Sequence, residues 1–171
     1  MISIIKCGKI LLAELFILIL AASCSGGKPS DRINSSSEKS FKSIKMRSYK
    51  GSVLNFSLFS DSGKSVPSGE DFILYNPFYV REDGESVTVS SDSCLSGRDV
   101  ITYYSNVTVN FKDSMVLYTD SMTYFVDADS AVAEDSVLIQ KEKNRMVTKK
   151  FIGKDGFKRI EFPNRVMLYG E

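Results

Sequence analysis

The 171-residue chain has no histidine, no tryptophan, only three cysteines and almost no charge imbalance. Without His there is no Ser–His–Asp or Cys–His catalytic pair and no His-ligated metal centre. Lys and Arg number 22 against 21 Asp and Glu, a formal net charge of +1. That balance lacks the basic surplus of a nucleic-acid binder. The 43% apolar and 25% charged composition belongs to a globular rather than a disordered chain, and the length suits one domain.

The apolar residues are unevenly spread. Lys6 and Lys9 precede Ile10–Ala22, an apolar stretch broken only by Glu14. It falls short of the ~20 residues of a membrane span and matches the ~7–15-residue apolar region of a signal peptide. It ends in Leu20-Ala21-Ala22-Ser23-Cys24, which resembles the lipobox of bacterial lipoproteins. The resemblance implies removal of residues 1–23 as a lipoprotein signal peptide and lipid attachment at Cys24. The competing reading is an uncleaved helical anchor, which would have to bury Glu14. Removal takes out Lys6, Lys9, Glu14 and Cys7, leaving 20 basic and 20 acidic side chains. With Cys24 acylated, Cys94 is the sole thiol and no internal disulfide can form. Ser25–Ser40, SGGKPSDRINSSSEKS, is a flexible linker by composition, with a root-mean-square span of ~20–24 Å. The expected organisation is signal peptide 1–23, acylated Cys and tether 24–45, and a folded domain 46–171.

From about Phe41 the pattern has period two. Apolar and polar residues alternate in Val53–Leu58, Val87–Val89 and Val107–Phe111, with short apolar runs at Phe72–Tyr75, Val137–Ile139 and Val166–Tyr169. Asp/Gly/Ser/Asn turns separate these segments, as in Asp127–Ser130 and Lys154–Gly156. These are strand and hairpin signals. Phe41–Ile44 could begin one helical turn at most, so the domain is expected to be all-β. A repeat of ~29 residues runs through it, relating Asp92 to Asp120, Thr119 to Thr148, and Val107 to Val137 and Val166.

The clearest copy is Met115–Tyr124 followed by Asp127–Ile139. This unit resembles the LptC family, the membrane-anchored periplasmic component of lipopolysaccharide export, and the OstA/LptA-like bridge protein that shares its fold. The resemblance spans roughly Met46–Glu171. It implies a twisted, V-shaped (folded-over) antiparallel β-jellyroll with an apolar interior through which the acyl chains of lipopolysaccharide, a glycolipid, pass. It further implies two protein partners, an ABC transporter permease–ATPase complex and a soluble periplasmic bridge protein joined by β-strand addition, and a membrane. Many members of that family keep a transmembrane helix, whereas a lipid anchor is expected here, periplasm-facing and most naturally on the inner membrane.

Alternation offers Phe72, Leu74, Val87, Val89, Ile101, Tyr103, Val107, Val109, Phe111, Val116, Tyr118, Met122, Tyr124, Val137 and Ile139 as inward residues, either packed core or groove lining. Val166, Met167, Leu168 and Tyr169, after Pro163, are the candidate docking strand. Asp127, Asp129 and Glu134 suggest a calcium loop, but Val132 and Leu138 stand where such a loop needs Gly and Glu. They are expected to be solvated turn acids, and no metal or cofactor is expected. Lys141–Arg145 with Lys149 and Lys150 reads as a charged hairpin or a contact for anionic sugar or phosphate. No nucleophile motif is present, and the chain is not expected to be an enzyme. The alternative to glycolipid transport is a structural or surface-exposed β-sandwich lipoprotein.

Overall fold

The computed structural model describes residues 39–67, 70–82 and 87–169. The signal peptide, Cys24 and the tether up to residue 38 lie outside the described residues. Among the described residues all regular structure is β, twelve strands in one sheet. They are β1 Ser40–Lys50, β2 Val53–Ser65, β3 Phe72–Tyr75, β4 Phe78–Arg81, β5 Thr88–Ser90, β6 Ser93–Ser96, β7 Val100–Asn110, β8 Met115–Phe125, β9 Ser130–Lys141, β10 Asn144–Lys154, β11 Arg159–Glu161 and β12 Met167–Tyr169. Every pairing is antiparallel.

Three of the passes are interrupted. β3 and β4 both pair with β2, β5 and β6 both pair with β7, and β11 and β12 both pair with β10. With each pair joined, every pass of the chain lies beside the next, and the sheet is one continuous meander.

The meander is folded along a line that crosses every pass. One leaf holds the first part of β2, β4, β5, residues 107–110 of β7, 115–119 of β8, 137–141 of β9, 144–148 of β10, and β12. The other holds the end of β2, β3, β6, 100–104 of β7, 121–125 of β8, 130–134 of β9, 150–154 of β10, and β11. The crease is built from short polar residues. Where the chain crosses in one direction, a buried hydroxyl donates to the carbonyl two residues on: Ser60 to Ser62 (2.7 Å), Ser91 to Ser93 (2.8 Å), Thr119 to Ser121 (3.2 Å) and Thr148 to Lys150 (3.3 Å). On return passes the backbone turns left-handed at Ser43, Asn76, Ser105 and Asn106. Asn tolerates that region best among non-glycine residues, and Ser, Thr, Asn and Asp all bond readily to nearby backbone. Cross-links stitch neighbouring passes: the Asn76 N–H donates to Asp92 O, the Asp92 N–H to Ser105 O, and Asn106 Nδ2 to the Asp92 carboxylate.

The leaves face each other across one apolar core. Phe56 and Tyr79 of the first leaf meet Tyr124 of the second at ring-centroid distances of 5.8 and 5.5 Å, and Phe111 meets Phe151 at 6.4 Å. The ring geometries are edge-on or tilted, as aromatic quadrupoles prefer. Cys94 is buried in this core and burial pushes its thiol up to about 12, so it is a packing residue and unreactive.

Two expectations need correction. Ser40–Lys45, read as tether, form the first half of β1 and pair with β2 from Lys64 to Phe59. Ile44 and Met46 pack against the core and Phe41 lies edge-on to Phe72 at 5.9 Å. The Ser/Lys-rich composition hid a strand whose order comes from its partner. Val116 and Tyr118 are not core residues, since Leu117 and Thr119 hold the inward positions and Tyr118 is 40% exposed. The β8–β9 register shifts between Tyr118 and Thr123, with the extra residue on the β9 side, and the inward parity reverses where β8 crosses the crease. Met122 and Tyr124 beyond it point inward as expected.

Candidate lipid groove and docking edges

Of the inward residues read from alternation, Leu74, Val87, Val89, Ile101, Tyr103, Val107, Val109, Met122, Tyr124, Val137 and Ile139 lie buried in the shared core. Phe72 and Phe111 are half-buried against it. The residues that alternation missed include Phe56, Leu58, Tyr79, Phe151 and Phe157. Phe56 and Leu58 were visible as one of the two faces of the 53–58 run, whereas Phe157 sits in a turn where no period applies.

Opposite the crease the two leaves end in turns. A cavity of about 630 Å³ lies there, with Val87, Phe111 and Met115 from the first leaf and Phe157 and Ile160 from the second. Lys112 and Lys158 border it. Asp113, on the same border, is held by Lys141 at 2.6 Å, and this ammonium keeps its carboxyl below the usual range. The opening thus combines an apolar floor with a cationic margin.

Beside the cavity an ion pair joins the leaves. Arg81 at the end of β4 meets Asp129 in the β8–β9 turn through both guanidinium nitrogens, Nη1 to Oδ1 at 2.8 Å and Nη2 to Oδ2 at 3.0 Å. The Tyr124 hydroxyl donates to the same Oδ1 at 2.6 Å. The side chains of Arg81 and Asp129 are 4% and 20% exposed. Burial alone would raise the Asp129 pKa, but the guanidinium and the Tyr124 hydroxyl outweigh it and hold the carboxyl below its usual range. Burial pushes the Tyr124 phenol up, and the neighbouring Asp129 adds to this. The expectation that Asp129 is a solvated turn acid is therefore wrong. Arg81 follows Tyr79 by two residues, so the strand period that buries Tyr79 also turns Arg81 inward, where it requires a counter-charge. Among the described residues no group of His, Cys, Asp and Glu side chains could hold a metal ion.

The meander leaves two outer edges. At one, β1 carries Lys42, Lys45, Arg47 and Lys50 and no acid, with the Lys45 ammonium 4.8 Å from the Phe59 ring centroid. At the other, β12 pairs with β10 through Val147–Met167, Met146–Leu168 and Arg145–Tyr169. Met167, Leu168 and Tyr169 are 47%, 73% and 55% exposed. The candidate docking strand is thus an edge strand, but it begins at Met167. Val166 precedes it, half-buried, after the bend at Asn164.

The family model for lipopolysaccharide assembly, LptC-related, matches residues 10–169, nearly the whole chain. The protein belongs to the LptC family. The structure is also similar to LptH, described as the LptA homologous periplasmic component of the conserved lipopolysaccharide transport device from Pseudomonas aeruginosa. That similarity has a TM-score of 0.53 at 12% identity and covers 68% of this LptC-family chain and 94% of LptH. At such identity it shows the shared fold, the LptA-like β-jellyroll. A search of curated proteins finds no match.

Proposed function

We propose that this LptC-family protein passes the acyl chains of lipopolysaccharide between the leaves of its folded sheet to a partner of the same fold. Membership in a lipopolysaccharide-assembly family makes it a periplasmic component of that transport and not an enzyme. The observation that carries the finer reading is the contiguous apolar interior, bordered on its open side by a solvent-facing cavity walled by Val87, Phe111, Met115, Phe157 and Ile160. Val109, Met122, Tyr124 and their neighbours would line the path, and Lys112 and Lys158 stand where anionic groups of the glycolipid would remain outside.

The edges supply the docking surfaces. β12, with three exposed apolar side chains on an outer strand, would add to an edge of the soluble bridge protein. The β1 edge, short-tethered to Cys24, would face the ABC permease at the inner membrane, with the acylated Cys24 as anchor. The alternative of an unrelated surface lipoprotein has no observation in its favour.

The test uses the full chain in cells with a photo-crosslinking residue at Val109 or Met122 inside and at Tyr118 outside. Lipopolysaccharide adducts are expected at Val109 and Met122 and not at Tyr118. Adducts at Tyr118 alone, or none at all, would reject the reading.

A further inference from the structure

The turn joining β10 to β11 lies on the open side of the fold and has an unusual backbone. Asp155, Gly156 and Phe157 have φ of +52°, +65° and +69° in succession. A left-handed residue is ordinary for glycine and tolerated by aspartate, but for a bulky aromatic side chain it is an outlier. Strain of this kind persists where the surroundings impose it.

Two contacts impose it here. The Gly156 N–H donates to Asp129 O at 2.8 Å, and the Arg81 guanidinium lies directly over Gly156, in the space a Cβ would need. The turn is thereby fastened to the Arg81–Asp129 pair that joins the leaves. The Phe157 ring itself adds to them. It is 6% exposed, stacks on Tyr124 at 6.3 Å and Phe151 at 6.4 Å, and meets Phe111 of the other leaf edge-on at 5.9 Å. Gly153 makes room for it, since a Cβ there would stand 2.7 Å from the ring. The same ring walls the 630 Å³ cavity. Phe157, on a strained turn, thus stands with Val87, Phe111, Met115 and Ile160 between the open cavity and the closed core.

We propose that Phe157 is the gate of the acyl-chain groove, held shut by the Arg81–Asp129 clasp and displaced when an acyl chain enters. The inference rests on the reading of this domain as a lipid carrier. An alkyl chain would replace the contacts the ring makes to Tyr124, Phe151 and Phe111. The turn backbone would relax as the ring leaves, so this ring comes out more easily than an ordinary core phenylalanine. Arg81 and Asp129 set how readily the turn lets go, because both grip Gly156 beside it.

The chain has no tryptophan, so Phe157→Trp places a single fluorescent reporter at the gate. The full chain, reconstituted in phospholipid vesicles, is titrated with purified lipopolysaccharide, and a photo-crosslinker at Val109 reports occupancy in the same preparation. The expected result is a red shift of the emission and at least a doubling of acrylamide quenching as adducts form at Val109. Adducts at Val109 with an unchanged, shielded tryptophan would overturn the gate and leave the carrier reading standing. Absence of adducts at Val109 and Met122 in the otherwise unaltered chain would overturn the carrier reading and the gate with it. Two further variants guard against a misfolded tryptophan protein. Phe157→Ala, which removes the ring, and Asp129→Asn, which loosens the clasp and keeps the ring, should each raise the rate of adduct formation at Val109 at least threefold at equal protein level. Unchanged rates in both would sink the proposal.

Discussion

Arg81 and Asp129 meet where water is largely excluded, and the cost of burying them shapes what their replacement should do. Breaking a fully buried pair costs about 3–5 kcal/mol, and the partial exposure of Asp129 reduces the expectation for Asp129→Asn to about 2–3 kcal/mol at neutral pH. The folded-state pKa of Asp129 lies below its unfolded value, which is ~3.9 for an ordinary aspartate. Its contribution is therefore fully present above the unfolded value and is lost as pH falls through the folded one. Urea midpoints measured from pH 7 downward should show the parent chain and Asp129→Asn converging below about pH 4. A gap that stays constant through that range would show that the carboxylate charge is not what stabilises the pair.

Six of the strands, β1, β2, β7, β8, β9 and β10, are 11–13 residues long, yet none runs straight through both leaves without a polar crossing. Buried hydroxyls at Ser60, Ser91, Thr119 and Thr148 recur 28 to 31 residues apart, once for each pass in the same direction. A hairpin that crosses the crease twice sets that interval. Ser60 has the strongest claim, since its hydroxyl lies 2.7 Å from Ser62 O and 2.6 Å from Tyr75 O, on the neighbouring strand. Ser60→Ala leaves two carbonyls without that donor and should cost about 1–3 kcal/mol in urea denaturation. Thr148→Val, which keeps the shape and loses the 3.3 Å bond to Lys150 O and the 3.5 Å bond from the Lys150 N–H, should cost about 1 kcal/mol. Equal, negligible effects at both sites would mean that the crease is held by packing alone.

Both leaves contribute to one core, so neither can bury its apolar face without the other. Phe56, Tyr79 and Phe111 of one leaf and Tyr124 and Phe151 of the other share ring contacts, and the Arg81–Asp129 pair ties the open side. Unfolding should therefore be a single cooperative event. Tyrosine near-ultraviolet dichroism and far-ultraviolet dichroism should give superimposable urea transitions, while separate midpoints would indicate leaves that unfold independently. A neutral, folded sheet with two open edges and an apolar interior suits relay of an apolar cargo along a row of like domains.

The all-β class, the strands from Val107 to Ile139 and most of the inward residues were legible in the sequence, because side-chain alternation is a local property of each strand. The polar turns were legible from their Asp, Gly, Ser and Asn residues, and the C-terminal strand from a short apolar run after Pro163. What tertiary structure decided was wherever a partner strand intervened. The β1 residues Ser40–Lys45 are ordered by pairing with β2, and the crossing of the crease in β8, with its register shift against β9, leaves Tyr118 outward and Leu117 inward. No period within a strand records a register shift against its neighbour. The Arg81–Asp129 pair joins residues 48 apart, and Phe157 reaches the core from a turn. Local pattern specifies which residues can be buried, and only the fold along the crease decides which of them meet.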